Sequence, residues 1–286
     1  MNQQNTAAAG ATSYPGWHGS LKLDFGYRQG KTELIQDRIK APLKVQRPFY
    51  PEGEEVCHSV ILHTAGGIVG GDRLTVDINL QPHAQALITS AAAGKVYCSN
   101  GLEAQQTIVV QIAEGACLEW FPQETIVFEG AIYRQNLRVE LANDATWMGW
   151  EITRFGRSAR GEKFLQGNWR SHTEVWQDGN PLWIDRQWMK GGEDRFNSPH
   201  GLGGYPVVGS FFLVGKSVSP EIVEKARSLS TSRQGETGVT TLLKGLLCRY
   251  RGKSTQEARR WFVDVWQLLR LSYLQRPACS PRVWQM

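Results

Sequence analysis

The chain has 286 residues, 41% of them apolar and 21% charged, with 30 glycines, which suits one large all-β domain or two smaller ones and permits a sizeable core. Its net charge of +5 is a mild excess spread along the sequence, without the clustered basic runs that track a phosphate backbone, which argues against nucleic acid as a partner. No stretch approaches the roughly eighteen uninterrupted apolar residues of a membrane span, which argues against a membrane protein.

Residues 1–16 carry neither a basic n-region nor a long apolar h-region, so they are expected to form a disordered leader rather than a signal peptide. Cytoplasmic residence is the resulting expectation, with residues 17–286 as a single domain. From Leu21 to Val214, short β-type runs are broken by Gly, Pro, Asn or Asp about every ten residues, the spacing of an antiparallel or coiled β architecture. Leu21, Leu23 and Phe25 alternate with Lys22 and Asp24, and Thr32 to Ile39 can return as a hairpin partner after a turn at Gln29-Gly30. Further strands are predicted at Val76 to Leu80, Thr107 to Ile112, Leu137 to Leu141 and Thr146 to Ile152. A second hairpin is predicted from Thr173 to Trp176, through Asp178-Gly179-Asn180, to Leu182 to Trp188.

The C-terminal third changes period. Ser219-Pro220 reads as an N-cap followed by proline at the first helical position, with Ile222, Val223, Ala226 and Leu229 at helical spacing. Ser254-Thr255-Gln256-Glu257 fits a capping box, after which Ala258, Trp261, Phe262, Val265, Leu268 and Leu269 form one apolar stripe up to Leu271. Between the two helices, Gly238 to Arg251 reads as a single strand with an interior glycine. The fold class is therefore mainly β, a large antiparallel or coiled body with a small α-helical C-terminal part.

Motifs with chemical meaning are few. Gly26 to Thr32 ends in GKT but has three residues between its glycines where a phosphate-binding loop needs four, so a hairpin turn is the better reading. Five scattered cysteines and six histidines include no CxxC, HExxH or HxH, and no GxSxG elbow occurs, which argues against a disulfide framework, a tight metal cage and a serine hydrolase. The run His63-Thr64-Ala65-Gly66-Gly67-Ile68-Val69-Gly70-Gly71-Asp72 frames two apolar residues between glycine pairs and reads as a tight loop presenting Asp72 and His63. Trp150 to Glu162 mixes carboxylates and guanidiniums, as an ion-paired strand does. Eleven tryptophans mostly fill the core, with some available as interface anchors. If Trp176, Trp183 and Trp188 lined one open groove, the chain would read instead as a β-rich carbohydrate- or metabolite-binding module. A metal-dependent hydrolase lacks the clustered ligands it needs.

Gln46 to Glu52, His63 to Asp72, Leu118 to Ile126, Phe155-Gly156-Arg157 with Gly161-Glu162, and Pro281 to Trp284 come in an order that resembles the urease accessory protein family UreD, also called UreH. The resemblance covers nearly the whole chain after Trp17. It implies a strand-rich body with a small helical part and no enzymatic activity. It also implies joining UreF and the GTPase UreG on urease apoprotein and helping to deliver nickel, as transient cargo, to the urease active site. Internal acids lining a passage would be Asp72, Glu151 and Asp185, with Glu55 near the entrance as a fourth. The chain departs from the family pattern at Thr64-Ala65, where prolines are usual, and at Ser90 to Tyr97, which lacks the usual Pro-Gly and a Phe before the Tyr.

Overall fold

The computed structural model describes residues 16–230 and 235–284, so all of the expected leader except Gly16 lies outside the described residues. In chain order the first strands are β1 (His18–Arg28), β2 (Lys31–Lys40), β3 (Leu43–Val45), β4 (Val56–His63), β5 (Arg73–Leu80), β6 (Gln85–Ser90), β7 (Gly94–Val96) and β8 (Ala104–Ile112). There follow β9 (Cys117–Phe121), β10 (Thr125–Val127), β11 (Ile132–Leu141), β12 (Thr146–Phe155), β13 (Asn168–Gln177), β14 (Asn180–Lys190), β15 (Val207–Val214), β16 (Gly235–Leu242) and β17 (Gly245–Gly252). The helices are α1 (Glu193–Asn197), α2 (Pro220–Ser228) and α3 (Thr255–Leu269).

Two sheets result. Sheet I runs β14-β13-β11-β8-β5-β1-β2, and sheet II has the path β16-β17-β15-β12-β9-β6-β4-β3. Of the antiparallel and coiled architectures open from the sequence, the coiled one builds the centre. The pairs β1·β5, β5·β8, β8·β11 and β11·β13 are parallel, as are β4·β6, β6·β9 and β9·β12. Each turn of chain thus adds one strand to each sheet, and antiparallel hairpins close the ends. Both predicted hairpins form; their turns use Gln29 and Gly30 at φ 50° and 83°, and Asp178 and Gly179 at φ 50° and 74°, as two-residue connections require. The GKT segment is therefore a turn and the start of β2. The segment Gly238 to Arg251 differs from expectation: it is a hairpin, because Leu243-Lys244 breaks it and Gly245 opens β17.

Burial explains the sequence pattern of each sheet. Sheet I is covered on one face, so β5 and β13 alternate between buried and partly exposed residues. Sheet II is covered on both faces, and β9 is buried throughout. Its inward residues, among them Trp120, Trp147 and Phe212, join the core between the sheets. Its outward residues, among them Phe121, Trp150 and Phe211, pack with Trp261, Phe262 and Trp266 of α3. Both predicted N-caps are present: Ser219 Oγ accepts from Ile222 N–H, and Ser254 Oγ accepts from Glu257 N–H. The apolar stripe of α3 ends at Leu269, and Arg270–Leu274 continue as a π turn.

Candidate functional site

The glycine loop is positioned from both ends. Ile68 N–H donates to the Lys95 carbonyl at 2.7 Å and its carbonyl accepts from Tyr97 N–H at 2.9 Å, so the loop docks on β7. Gly67 is required there, since a Cβ would stand 2.3 Å from the Tyr97 ring. Gly71, at φ 93°, turns the chain into β5. Asp72 is buried and accepts from Trp17 N–H at 2.8 Å and Val69 N–H at 2.9 Å. Its two oxygens brace the loop rather than line a void.

Between the sheets lies a cavity of about 460 Å³, whose lining includes His63, Gln106, Trp120, Gln135, Glu151 and Ser171. Strand register sets its span. Ile61 pairs with Ser90, Thr89 with Phe121, and Trp120 with Gly149, so Ile61 and Glu151 sit three strands apart in one row, roughly 14 Å. On the facing sheet, Gln106, Gln135, Ser171 and Gln187 are successive in-register partners. This polar row meets Glu151, which accepts from Gln135 Nε2 and from Ser171 Oγ, the latter at 3.4 Å. Glu151 pairs in register with Ser210, and Ser210 with Arg249. Arg249 then donates to Ser210 Oγ at 2.6 Å and to both oxygens of Asp185 at 2.9 and 2.7 Å.

Burial, with the Asp185 charge behind it, pushes the Glu151 carboxyl up to about 7. Burial lowers the His63 imidazole against the attraction of Asp72. Both ring nitrogens of His63 are buried and lack a hydrogen-bond partner among the described residues.

The four acids singled out in the sequence therefore separate. Glu151 lines the cavity and Asp185 joins its network through shared charge and Arg249. Asp72 lies at the base of the glycine loop, close enough for its charge to act on His63. Glu55 is exposed at a second, open pocket of about 490 Å³ with Tyr27, His83 and Arg276. No group of three or more His, Cys, Asp or Glu able to hold a metal occurs among the described residues. The ion pair expected on a strand near Trp150 instead closes a loop beyond β12, where Arg157 meets Glu162.

Sequence reasoning missed a buried cluster on the other side of sheet II. Arg270 is fully buried and donates to Glu52 at 2.6 and 2.9 Å, to Glu119 at 2.8 and 2.6 Å, and to the Pro277 carbonyl at 2.7 Å. Glu119 also accepts from Trp266 Nε1 at 2.6 Å, and Glu52 meets His58 Nε2 at 2.6 Å. Burial opposes ionisation of Glu52, but the bonds from His58 and Arg270 hold it down at about 2. The available signal was Arg270 itself, four residues beyond Trp266 on the apolar side of α3.

Trp183 packs in the core against Trp147 and Phe212, whereas Trp188 is 60% exposed beneath Arg170 and Arg195. An odd separation along β14 places the two on opposite faces. The open groove that a sugar-stacking module requires is not formed by these tryptophans.

Fold and site together define a β-rich scaffold, two coiled sheets around a polar seam with a helical cap, rather than a cofactor-binding α/β domain. The chain belongs to the UreD urease accessory protein family, whose model matches residues 18–285. It is 69% identical to the "Urease accessory protein UreD" of Nostoc punctiforme over 95% of this chain and 97% of that protein. The namesake from Acaryochloris marina is 58% identical over 94% and 96%, and that from Methylobacillus flagellatus 40% over 99% of each. These relatives are named as accessory proteins and not as enzymes.

Proposed function

We propose that the chain is a cytoplasmic urease-maturation chaperone that, with UreF and the GTPase UreG, docks on urease apoprotein and passes Ni²⁺ through its interior. The observation that carries this reading is the polar row from the Glu151 end of the cavity to Asp185. A cation entering the cavity meets single oxygen donors, Glu151, Gln135 and Ser171, each able to replace part of a hydration shell and none able to close a cage. Proton exchange is built into the central donor: Glu151, raised to about 7, releases a proton when a cation arrives and recovers it when the cation leaves. Asp72 adds negative charge at the loop end, and Glu55 offers a donor at the second pocket.

The test is co-expression of urease with its accessory proteins and the Glu151→Gln chain, followed by measurement of urease nickel. Nickel content is expected to fall severalfold while the accessory complex still co-purifies. Nickel at the wild-type level would remove the interior passage from the proposal. Loss of co-purification would instead assign Glu151 to assembly.

A further inference from the structure

The face of sheet I turned away from the cavity carries a pattern that the linear sequence hides. One residue along from the inward polar row, Arg73, Gln105, Arg134, Arg170 and Trp188 are successive in-register partners across β5, β8, β11, β13 and β14. Their neighbours Gln106, Gln135 and Ser171 line the cavity, so strand alternation turns this second row to solvent. Three arginines remote in the chain thus stand in one line about 19 Å long, at about 4.8 Å per strand step. Arg195 of α1 joins its end: its guanidinium lies 5.9 Å from the Trp188 ring centre, and that of Arg170 lies 5.2 Å away. Trp188 Nε1 donates to Asn168 Oδ1 at 2.6 Å, which fixes the exposed indole in place.

The cations of this face are poorly balanced. Glu103 pairs with Arg134, and Arg73 donates only to the Asp72 and Glu103 carbonyls. Arg170 and Arg195 stack on Trp188, and Arg186, two residues from it on β14, donates to His172. Among the described residues none of these last three has a carboxylate within ion-pair distance. Like charges gathered on one face repel until an anion covers them, and Trp and Arg are the side chains that most often anchor protein interfaces.

We propose that this row is a docking surface for an acidic helix of a partner protein, with Trp188 as its apolar anchor. Spacing favours a helix. Arg134 and Arg170 are one strand step apart and Arg73 and Arg134 two, about 5 and 10 Å, and carboxylates one and two turns apart on a helix are spaced by about 5 and 11 Å. Guanidiniums stacked on an indole keep their N–H edges free for carboxylates. Glu103, set beside the row, repels a continuous phosphate backbone, whereas a helix can present a neutral residue there. The proposal rests on the reading of the chain as a member of a protein complex and is independent of the interior passage.

The experiment uses the full chain and two fluorescein-labelled probes, an alanine-based helical peptide with glutamate at every third or fourth position and an oligo-uridylate of equal charge. Anisotropy at low salt is expected to show the peptide bound more tightly than the oligonucleotide, and about tenfold more weakly by Arg170→Gln/Arg195→Gln. Lys253→Gln/Arg260→Gln removes the same charge from exposed positions at α3 and is expected to leave binding unchanged. No peptide binding, equal loss in both double variants, or tighter binding of the oligonucleotide would overturn the proposal. In cells co-expressing urease and its accessory proteins, Arg170→Gln/Arg195→Gln is expected to reduce co-purification severalfold while the thermal midpoint of the isolated chain stays at the wild-type value. Wild-type co-purification would overturn the docking role whatever the peptide does. If that variant still assembles while Glu151→Gln lowers urease nickel, the surface falls and the passage stands. If it fails to assemble while Glu151→Gln leaves urease nickel at the wild-type level, the surface stands and the passage falls.

Discussion

The two faces of sheet II bury carboxylates in opposite ways. On its outer face Glu52 and Glu119 converge on Arg270, beside the aromatic layer of Phe121, Trp150, Trp266 and Trp284. On its inner face, one residue along from Trp150, Glu151 looks into a cavity with an amide and a hydroxyl for company. One carboxyl is held down at about 2 and the other pushed up to about 7. Burial raises both; a buried cation decides the sign. The helical side gives its buried carboxylates a cation, whereas the cavity side leaves a buried carboxyl with neutral donors, an amide and a hydroxyl, the kind of environment in which perturbed groups occur.

The largest expected effect breaks the outer cluster. Arg270→Met leaves Glu52 and Glu119 buried without their cation, and removing one member of such a network costs about 3–5 kcal/mol. Urea unfolding followed by tryptophan fluorescence measures it, and adding Glu119→Gln to the same chain should restore part of the loss. A destabilisation within about 0.5 kcal/mol would mean that solvent reaches this cluster and that the contrast between the two faces is smaller than their burial suggests.

The next effect sharpens the comparison through pH. Glu52, lowered from 4.5 to about 2, adds stability that is complete above the unfolded value of 4.5 and is lost as pH falls towards 2. Glu151, raised from 4.5 to about 7, has the opposite sign: the unfolded chain ionises first, so stability declines as pH rises from 4.5 to 7 and is level above. Glu151→Gln removes that decline. At about pH 8 the variant is expected to be about 2–3 kcal/mol more stable than the wild type, with the two converging near pH 4, as read by denaturant midpoints across pH. A variant that gains stability while delivering less nickel would show the cavity carboxylate kept at the expense of the fold. No gain near pH 8 would mean that Glu151 is already satisfied.

Much of the fold was legible because local chemistry and tertiary packing agree. The turns at Gln29-Gly30 and Asp178-Gly179 and the caps at Ser219 and Ser254 each carry their own signal. The parallel coil was not legible, because strand partners in parallel pairs are remote in sequence and alternation alone does not set their direction. In β12 even alternation vanishes, since Met148 and Trp150 meet the helices while Trp147 meets sheet I. At the candidate site, Glu151 and Asp185 follow from the family resemblance, and their shared network is a tertiary fact. The motif residues Glu52, Glu119 and Trp284 stand around Arg270 and the aromatic layer instead of the cavity. In this part of the chain, the motifs that carry the family resemblance record packing.

The smaller effects test whether the four acids act alike. Asp72→Ala strips the acceptors from Trp17 N–H and Val69 N–H and is expected to cost about 1–3 kcal/mol, with faster hydrogen exchange at Val69 and a modest fall in urease nickel. Glu55 is exposed at the open second pocket, where water competes for every contact. Glu55→Gln should therefore shift stability by under about 0.5 kcal/mol and change urease nickel less than Glu151→Gln does, because an open pocket offers other oxygen donors and the cavity offers few. A nickel loss as large as that of Glu151→Gln would move the bottleneck to the second pocket, and Arg276 and His83, which line it with Glu55, would become the next residues to change.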